Sequence, residues 1–407
     1  MILVEQHIIT KNNLYWKQLD NLCFLSKNLY NSALYKVKKE RLESGRFLRY
    51  SDLERQFRDE NNVDYFNLLT TCSQQILRLF DNNIKSYFAL LKKYKGDKKS
   101  LNGCPQFPKY KDKIKGRNVL IFCGQNQIRF KDGYIYFPNK LNLKPLKTRL
   151  ISENKINEVR IIPKSSHYII EIVYEKQEQI IELNNNKAAI DLGLNNLIAL
   201  TTNISTNPLL INGKPLKSIN QYYNKKKGQL QSELKKNHNK NTSKKIQKLT
   251  LKRDNKIKDY LHKTSRFVVD YLKENNITSL IVGYNKEWKQ NINIGKVNNQ
   301  NFVSIPYDRL LSMIEYKCGL EGFNYKEREE SYTSKCSSLD LEPVNKQDVY
   351  LGKRIKRGLF RTKEGLFINA DVNGSLNIGR KEFGDSYLLD NRTNTGLVFN
   401  PVKIKSL

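Results

Sequence analysis

Lys187-Ala188-Ala189-Ile190-Asp191-Leu192-Gly193-Leu194-Asn195-Asn196-Leu197-Ile198-Ala199-Leu200-Thr201 decides how the second half of this chain is read. Residues 188–192 and 197–201 are short apolar runs of strand length, separated by the Gly and Asn residues of a turn. Residues 209–211, with Asn212-Gly213 behind them, extend the meander to a third strand. Further on, 218–276 predicts a long basic helical stretch, 279–282 a buried strand, 305–320 a helix, 323–330 another strand and 371–383 a final helix. Three meandering strands, a helix, a further strand and a late helix headed by an acid is the order expected of an RNase H-like α/β domain.

Toward the N-terminus, residues 1–10 predict a strand. A helical stripe follows, with Leu19, Leu22, Cys23, Ser26, Leu29, Tyr30, Ala33, Leu34 and Val37 on one face. Ile76, Leu77, Phe80, Ile84, Tyr87, Phe88 and Leu91 repeat the spacing, so residues 14–96 read as a helical module with these stripes as its core. From Gly103 the texture turns to Pro, Gly and Lys, with Pro105, Pro108, Tyr110 and the run 111–115 forming a basic loop. Ile128 and Phe130 then precede Asp132-Gly133, a hairpin pair, and Tyr134, Tyr136, 159–162 and 168–174 alternate as strands do. We infer a small β-barrel whose first strand is the N-terminus, with the helical module inserted into it.

The 407 residues suffice for two or three domains with buried cores. Lys and Arg number 72 against 40 Asp and Glu, a net charge of +32 that points to a polyanionic partner such as a phosphate backbone. Six cysteines, Cys23, Cys72, Cys104, Cys123, Cys318 and Cys336, are scattered without a CxxC pair, which reads as reduced thiols of a cytoplasmic protein. No apolar run approaches the ~18 residues of a membrane span, and no secretory leader is seen. His7, His167, His238 and His262 are dispersed and form no acid–base constellation.

In so basic a chain, two acidic islands stand out: Asp191, and Asp371 within Asn369-Ala370-Asp371-Val372-Asn373. Metal-assisted hydrolysis of a phosphodiester needs hard carboxylate oxygens that hold two Mg²⁺ ions about 3.5–4 Å apart. Asp191 sits mid-strand with Gly193 permitting close approach of substrate or backbone; a lone strand acid also serves to cap a turn or pair with a lysine. Asp371 opens a helix, where it also suits the N-cap, and the small residues after it suit tight packing on a sheet. The lysines of 218–276 would ordinarily form a solvated helix face, yet Asp and Glu look too rare there for i,i+4 pairing, so we read a backbone-contacting surface.

Ile190-Asp191-Leu192-Gly193, Tyr332-Thr333-Ser334-Lys335 and Asp371-Val372-Asn373-Gly374-Ser375-Leu376-Asn377-Ile378 resemble the nuclease-domain signatures of the transposon-encoded TnpB (OrfB) family, relatives of the type V CRISPR effectors. The likeness extends to Asn28-Leu29-Tyr30-Asn31, Pro108-Lys109-Tyr110-Lys111-Asp112-Lys113, Trp288-Lys289-Gln290 and Asn299-Gln300-Asn301-Phe302. It implies an OB-like wedge β-barrel (1–13 and 104–183), an inserted helical recognition module (14–103), a RuvC-like nuclease domain (184–383) and a C-terminal tail (384–407). It further implies Mg²⁺-dependent cutting of double-stranded DNA, directed by a guide RNA, beside a short transposon-adjacent motif. Lys109, Lys111, Lys113, Lys225, Lys226, Lys227, Lys244, Lys245, Lys252, Arg253, Lys353, Arg354, Lys356 and Arg357 are then the expected nucleic-acid contacts.

Two departures from the family pattern matter. Most relatives carry a catalytic Glu just after the strand 280–282, where this chain has Gly283. The expected replacement is Glu330, with Glu329 and Glu287 as alternatives, completing the Mg²⁺ site with Asp191 and Asp371. Relatives often hold zinc in two CxxC pairs between the Thr-Ser segment and the last Asp; this chain offers Cys336 alone, which predicts no structural zinc. Competing expectations are an RNA-guided binder that does not cut, and a guide-independent transposase or resolvase.

Overall fold

The computed structural model describes all residues except 152, 153, 239, 240, 286–299, 301, 302, 389–394, 406 and 407. Two compact units are distinguished, one of residues 2–176 and one of residues 177–407 together with Met1. No helix among the described residues is long and apolar enough to cross a membrane.

In the first unit, β1 (Ile2–Ile9) is followed by the helices α1 (Trp16–Ser44), α2 (Tyr50–Asp59) and α3 (Thr70–Gly96), and then by β2 (Leu120–Cys123), β3 (Arg129–Lys131), β4 (Tyr134–Tyr136), β5 (Leu146–Lys147), β6 (Lys155–Pro163) and β7 (Tyr168–Glu175). The N-terminal strand runs antiparallel to β7, with Ile2 opposite Glu175 and Ile9 opposite Tyr168. The strands we expected in one barrel are divided between two antiparallel sheets, β1-β7-β6-β2 and β3-β4-β5, because a single helical turn at Gly124–Gln127 separates β2 from β3. Asp132 and Gly133 both take positive φ, 52° and 75°, which gives the primed turn a tight hairpin requires. Most residues of the helical stripes are buried, with Tyr87, Phe88 and Leu91 half-buried, and the buried ones share one apolar core with Leu120, Phe122, Val159 and Ile172 of the sheet.

The second unit is built on one six-stranded sheet. Its strands are β8 (Lys187–Leu192), β9 (Asn196–Thr202), β10 (Leu209–Asn212), β11 (Ser279–Gly283), β12 (Asn324–Arg328) and β16 (Val402–Ile404). The order is β12-β11-β8-β9-β10-β16, with β8, β9 and β10 antiparallel in turn and β11 parallel to both β8 and β12. Counted from β8, the first five strands stand 3-2-1-4-5 across the sheet, the RNase H-like arrangement. The helices α4 (Lys214–His238), α5 (Lys244–Glu274) and α6 (Tyr307–Glu321) fill the long connections, a small sheet of β13 (Lys353–Lys356), β14 (Leu359–Arg361) and β15 (Phe367–Asn369) follows, and α7 (Ala370–Phe383) comes next.

Pleating divides this sheet into two faces. Ala188, Ile190 and Leu192 join one core with Val268 and Val269 of α5 and Leu310 and Ile314 of α6. Ala189 joins the other with Val372, Leu376 and Ile378 of α7, so Asp191 falls on the α7 side.

Three differences from the sequence reading have physical causes. The basic stretch is two helices, and its last turns do carry i,i+4 ion pairs, Asp259–Lys263 and Arg266–Asp270, because the acids cluster at that end. The segment expected to trail from residue 384 instead buries Tyr387, Leu388 and Val398 in the α7-side core and adds β16 in parallel to β10. The strand expected to reach Glu330 ends at Arg328, and the chain turns through Tyr332 at φ 69°, so Glu329 and Glu330 lie just beyond the strand.

Candidate active site

Four adjacent stretches converge at the C-terminal ends of the parallel strands. In register, Val282 of β11 pairs with Ile190, so Gly283 lies beside Asp191; on its other side Gly283 pairs with Arg328, two residues before Glu330. A side chain at position 283 has no room: an added Cβ would fall 2.3 Å from Ile378 Cδ1 and 3.1 Å from Glu330 Oε2. The Glu330 carboxylate therefore occupies the space next to Gly283, entering from the neighbouring strand's exit. Its Oε2 is buried with no hydrogen-bond partner, while Oε1 is 3.4 Å from the donating Asn285 Nδ2. Asn285 Oδ1 also accepts from the Glu330 backbone N–H at 3.2 Å, so one side chain brackets the acid.

Glu329 is turned the other way. It is exposed, accepts from Lys381 Nζ at 2.6 Å, and the lysine holds its carboxyl below the ordinary glutamate range. Glu287 lies outside the described residues.

Helix α7 organises the rest, and nearly every residue of its motif has a separate task. Asn369 is the N-cap, accepting from the Asp371 and Val372 N–H groups at 3.0 and 3.2 Å. Asp371 is thus released from the capping role that sequence alone left open. Its Oδ2 accepts from Asn196 Nδ2 at 2.8 Å, and its Oδ1 faces Arg354 Nη2 at 3.6 Å. Gly374 brings the helix against Asp191, whose Oδ2 lies 2.8 Å from where a Cβ would stand. Ser375 Oγ donates to the Ala189 carbonyl at 2.9 Å, tying helix to strand. Asn373 and Asn377, one turn apart and fully buried, grip the loop after Glu330: Asn373 Nδ2 donates to Cys336 O at 2.9 Å, and Asn377 Nδ2 to Thr333 O and Cys336 O at 2.9 and 2.7 Å. Thr333 Oγ1 donates to Glu330 O at 2.8 Å, linking that loop to the acid. Gly193 serves the turn rather than a substrate, since an added Cβ would meet Asn196 O at 2.5 Å.

The electrostatics are those of crowded, desolvated acids. Asp191 keeps some surface but is dense with protein around it; burial first, then repulsion from Glu330 and Asp371, raises its carboxyl well above the usual range, with Arg354 opposing. Burial pushes Glu330 up to about 7, Glu329 adds to the shift and Lys381 opposes it. Buried Tyr307, which donates to Gly193 O at 2.8 Å, is raised by burial and then by the same two acids. Among the described residues no three His, Cys, Asp or Glu side chains stand close enough to form a ready-made metal cage. Asp191 is within electrostatic reach of both Glu330 and Asp371, and Asp371 is engaged by Arg354 and Asn196. A buried carboxylate oxygen without a partner is relieved either by a proton, in keeping with the raised Glu330 carboxyl, or by a divalent cation, for which it is a hard donor.

The expected phosphate contacts are spread more widely. Lys109, Lys113, Lys225, Lys226, Lys244, Lys245, Lys252, Lys353, Arg354, Lys356 and Arg357 are exposed, whereas Lys111 packs over the Tyr30 ring at 4.9 Å and Lys227 over Tyr223 at 5.7 Å. Arg253 is committed to its own fold, donating to Asn220 Oδ1 at 2.9 Å and Ser304 O at 3.2 Å. Where the resemblance would place zinc thiolates, the buried Glu342 carboxylate accepts from the Ser337 and Leu351 N–H groups at 2.6 and 2.8 Å. Asn196, Asn285, Asn373 and Asn377 were not singled out from sequence; only the i,i+4 asparagines on an apolar helix face were a signal that could have been read.

Residues 171–289 match the family model OrfB_IS605, probable transposase, and residues 307–378 match the TNB domain of Cas12f1-like proteins. Among solved structures, the cryo-EM structure of a Cas12f1–sgRNA–target DNA complex is 15% identical, covers 89% of this chain and 81% of its own, and gives a TM-score of 0.52. The mini-RNA-guided endonuclease Cas_phi3 is 10% identical over 93% of this chain and 92% of its own, with a TM-score of 0.45. Only the first of these likenesses bears on the fold. No curated protein matches. With both family models matching in order along the chain and acids standing at the strand ends of an RNase H-like sheet, the chain resembles the TnpB-like (OrfB) family related to the type V effectors.

Proposed function

We propose that this protein is an RNA-guided, Mg²⁺-dependent DNA endonuclease encoded by a transposon, cutting target DNA beside a short transposon-adjacent motif. The observation that carries the reading is the Glu330 carboxylate, buried with one oxygen unpartnered, in the space that Gly283 leaves open beside Asp191. Asp191, Glu330 and Asp371 would hold two Mg²⁺ ions, which when bound supply Lewis-acid activation of water and charge stabilisation at the phosphate. The chain's own residues prepare that site. Asn285 aims Glu330, Asn373 and Asn377 fix the loop behind it, and Gly374 lets the helix approach Asp191. Arg354 neutralises Asp371 until a cation takes its place.

The remaining assignments follow the family. The first unit would supply an OB-like wedge and a helical recognition module, and base pairing with a guide RNA would select the sequence while basic side chains hold backbone. Such a protein works at chromosomal DNA in the cytoplasm and, on this reading, needs no structural zinc.

The test is cleavage of a plasmid carrying a matched target and a randomised flank, with RNA from the transposon end. Glu330→Gln, Asp191→Asn and Asp371→Asn each remove a charge worth several kcal/mol to the transition state, so cutting should fall about 10³-fold, while Glu329→Gln stays within about threefold. Full activity in Glu330→Gln would remove Glu330 from the site. Target binding without any cutting would favour a guide-dependent repressor instead.

A further inference from the structure

The α4–α5 hairpin contains two adjoining concavities that no catalytic step uses. One, of about 350 Å³, is lined by Tyr222, Tyr223, Leu249, Lys252, Arg253 and Lys256 among others; the second, of about 400 Å³, shares Tyr222, Leu249 and Lys252 and adds Lys226, Lys245 and Lys248. Tyr222 belongs to both and is 60% exposed, so its ring is not spent on a core. Arg253, fixed by Asn220 and Ser304 and lying over Tyr223 at 5.5 Å, is a rigid wall between the helices. Lys226, Lys245, Lys248, Lys252 and Lys256 pair with no carboxylate among the described residues, and Glu233, at the second cavity, is the one acid in the two linings.

From this we infer that the hairpin binds an unpaired segment of the guide RNA, with successive bases against Tyr222 and the backbone on the lysines. The inference rests on the guide-RNA reading above. An exposed aromatic ring flanked by free cations is what single-stranded nucleic acid requires, since any base offers a π-face and every residue a phosphate. Cavities of this size between two helices admit single nucleotides, not a duplex. Glu233 can accept from a ribose 2′-hydroxyl or a base amine. The strand held here is not the one being cut: α5 packs on the Ile190 side of the sheet, whereas Asp191 faces α7 on the other. A strand kept away from the acids suits the RNA and not the displaced DNA.

The experiment measures binding of fluorescent rU10, dT10 and a blunt RNA duplex to the full chain and to Tyr222→Ala, Tyr222→Phe and Lys256→Gln, with a thermal melt for each. Stacking on one ring predicts about tenfold or greater weakening of rU10 binding in Tyr222→Ala, near-parent binding in Tyr222→Phe, and unchanged duplex binding. Lys256→Gln should lower the slope of log affinity against log salt by about 0.7. Parent-like rU10 binding by folded Tyr222→Ala overturns the groove, and so does an equal loss on the duplex; a clear preference for dT10 overturns the choice of RNA. Because the oligonucleotide assay needs no cutting, a protein that never cleaves yet shows Tyr222-dependent rU10 binding defeats the nuclease reading alone. Plasmid cutting by the parent with no Tyr222 effect defeats the groove alone.

Discussion

The two helical layers on either side of the six-stranded sheet use polar residues in opposite ways. In α7, ten of fourteen residues are buried, including Asn373, Ser375, Asn377 and Arg380, and their polar groups are committed to partners inside the protein. In the α4–α5 hairpin the buried set of α5 is a stripe with Ile246, Ile257, Leu261 and Val268, and the lysines point outward. Burial makes the difference: a desolvated amide must be satisfied in place and so positions something, whereas an exposed ammonium keeps its water and remains available to a partner. One layer builds a site, and the other presents a surface.

The sharpest way to break this comparison is to remove a buried amide from α7. Asn377→Ala leaves the Thr333 carbonyl without its side-chain donor and the Cys336 carbonyl with Asn373 alone, so the loop after Glu330 should loosen. Cleavage should fall about 10- to 100-fold, as for residues that orient metal ligands, and stability by about 1–3 kcal/mol, read by plasmid cutting and denaturant melts. Asn373→Ala should behave alike. Guide-RNA affinity should stay at the parent value in both; an equal loss of RNA binding would mean that the two layers are not separate in function.

Titration is the next test, since Asp191 and Glu330 keep protons that exposed acids would release. The Glu330 carboxyl moves from 4.5 to about 7 in the fold. Between those values the native state binds more protons than the unfolded chain, so the stability of the metal-free protein should fall as pH rises from about 4.5 to about 7. Asp191 shifts in the same direction and adds to the trend. Mg²⁺ should restore the loss, with apparent affinity that increases toward pH 7 as protons are displaced, and Zn²⁺ should add no further chelation-resistant stability. Thermal melts against pH with and without Mg²⁺ check this, and Glu330→Gln should flatten the curve.

Single lysines of the hairpin should give the smallest effect. Lys225→Gln or Lys244→Gln should weaken RNA binding slightly and lower the salt slope by about 0.7 each, while leaving cleavage at saturating RNA within about twofold. A steep loss of cleavage there would place these residues in the site instead.

Much of this was legible before any coordinates. The strands around Asp191, the Asp132-Gly133 turn and the helical stripes follow from periodicity and turn chemistry, which are local properties. The Glu330 substitution for a residue at 283 was approachable as chemistry, because glycine has no ligand to offer. Its geometry was not: that Glu330 fills the space above Gly283, that Glu329 is drawn off by Lys381, and that Arg354 faces Asp371 all depend on contacts between residues far beyond near-neighbour spacing in the chain. The C-terminal segment was misread for the same reason, since β16 has no strand-length pattern of its own and is a strand only because β10 offers it an edge.

By itself, then, the amino-acid order determined the kinds of element, the excess of positive charge and the identity of the two aspartates, each a matter of near neighbours or of composition. Only the tertiary structure decided which glutamate lies beside Asp191 and which asparagines brace its loop, because sheet register and helix packing bring distant residues together and bury them.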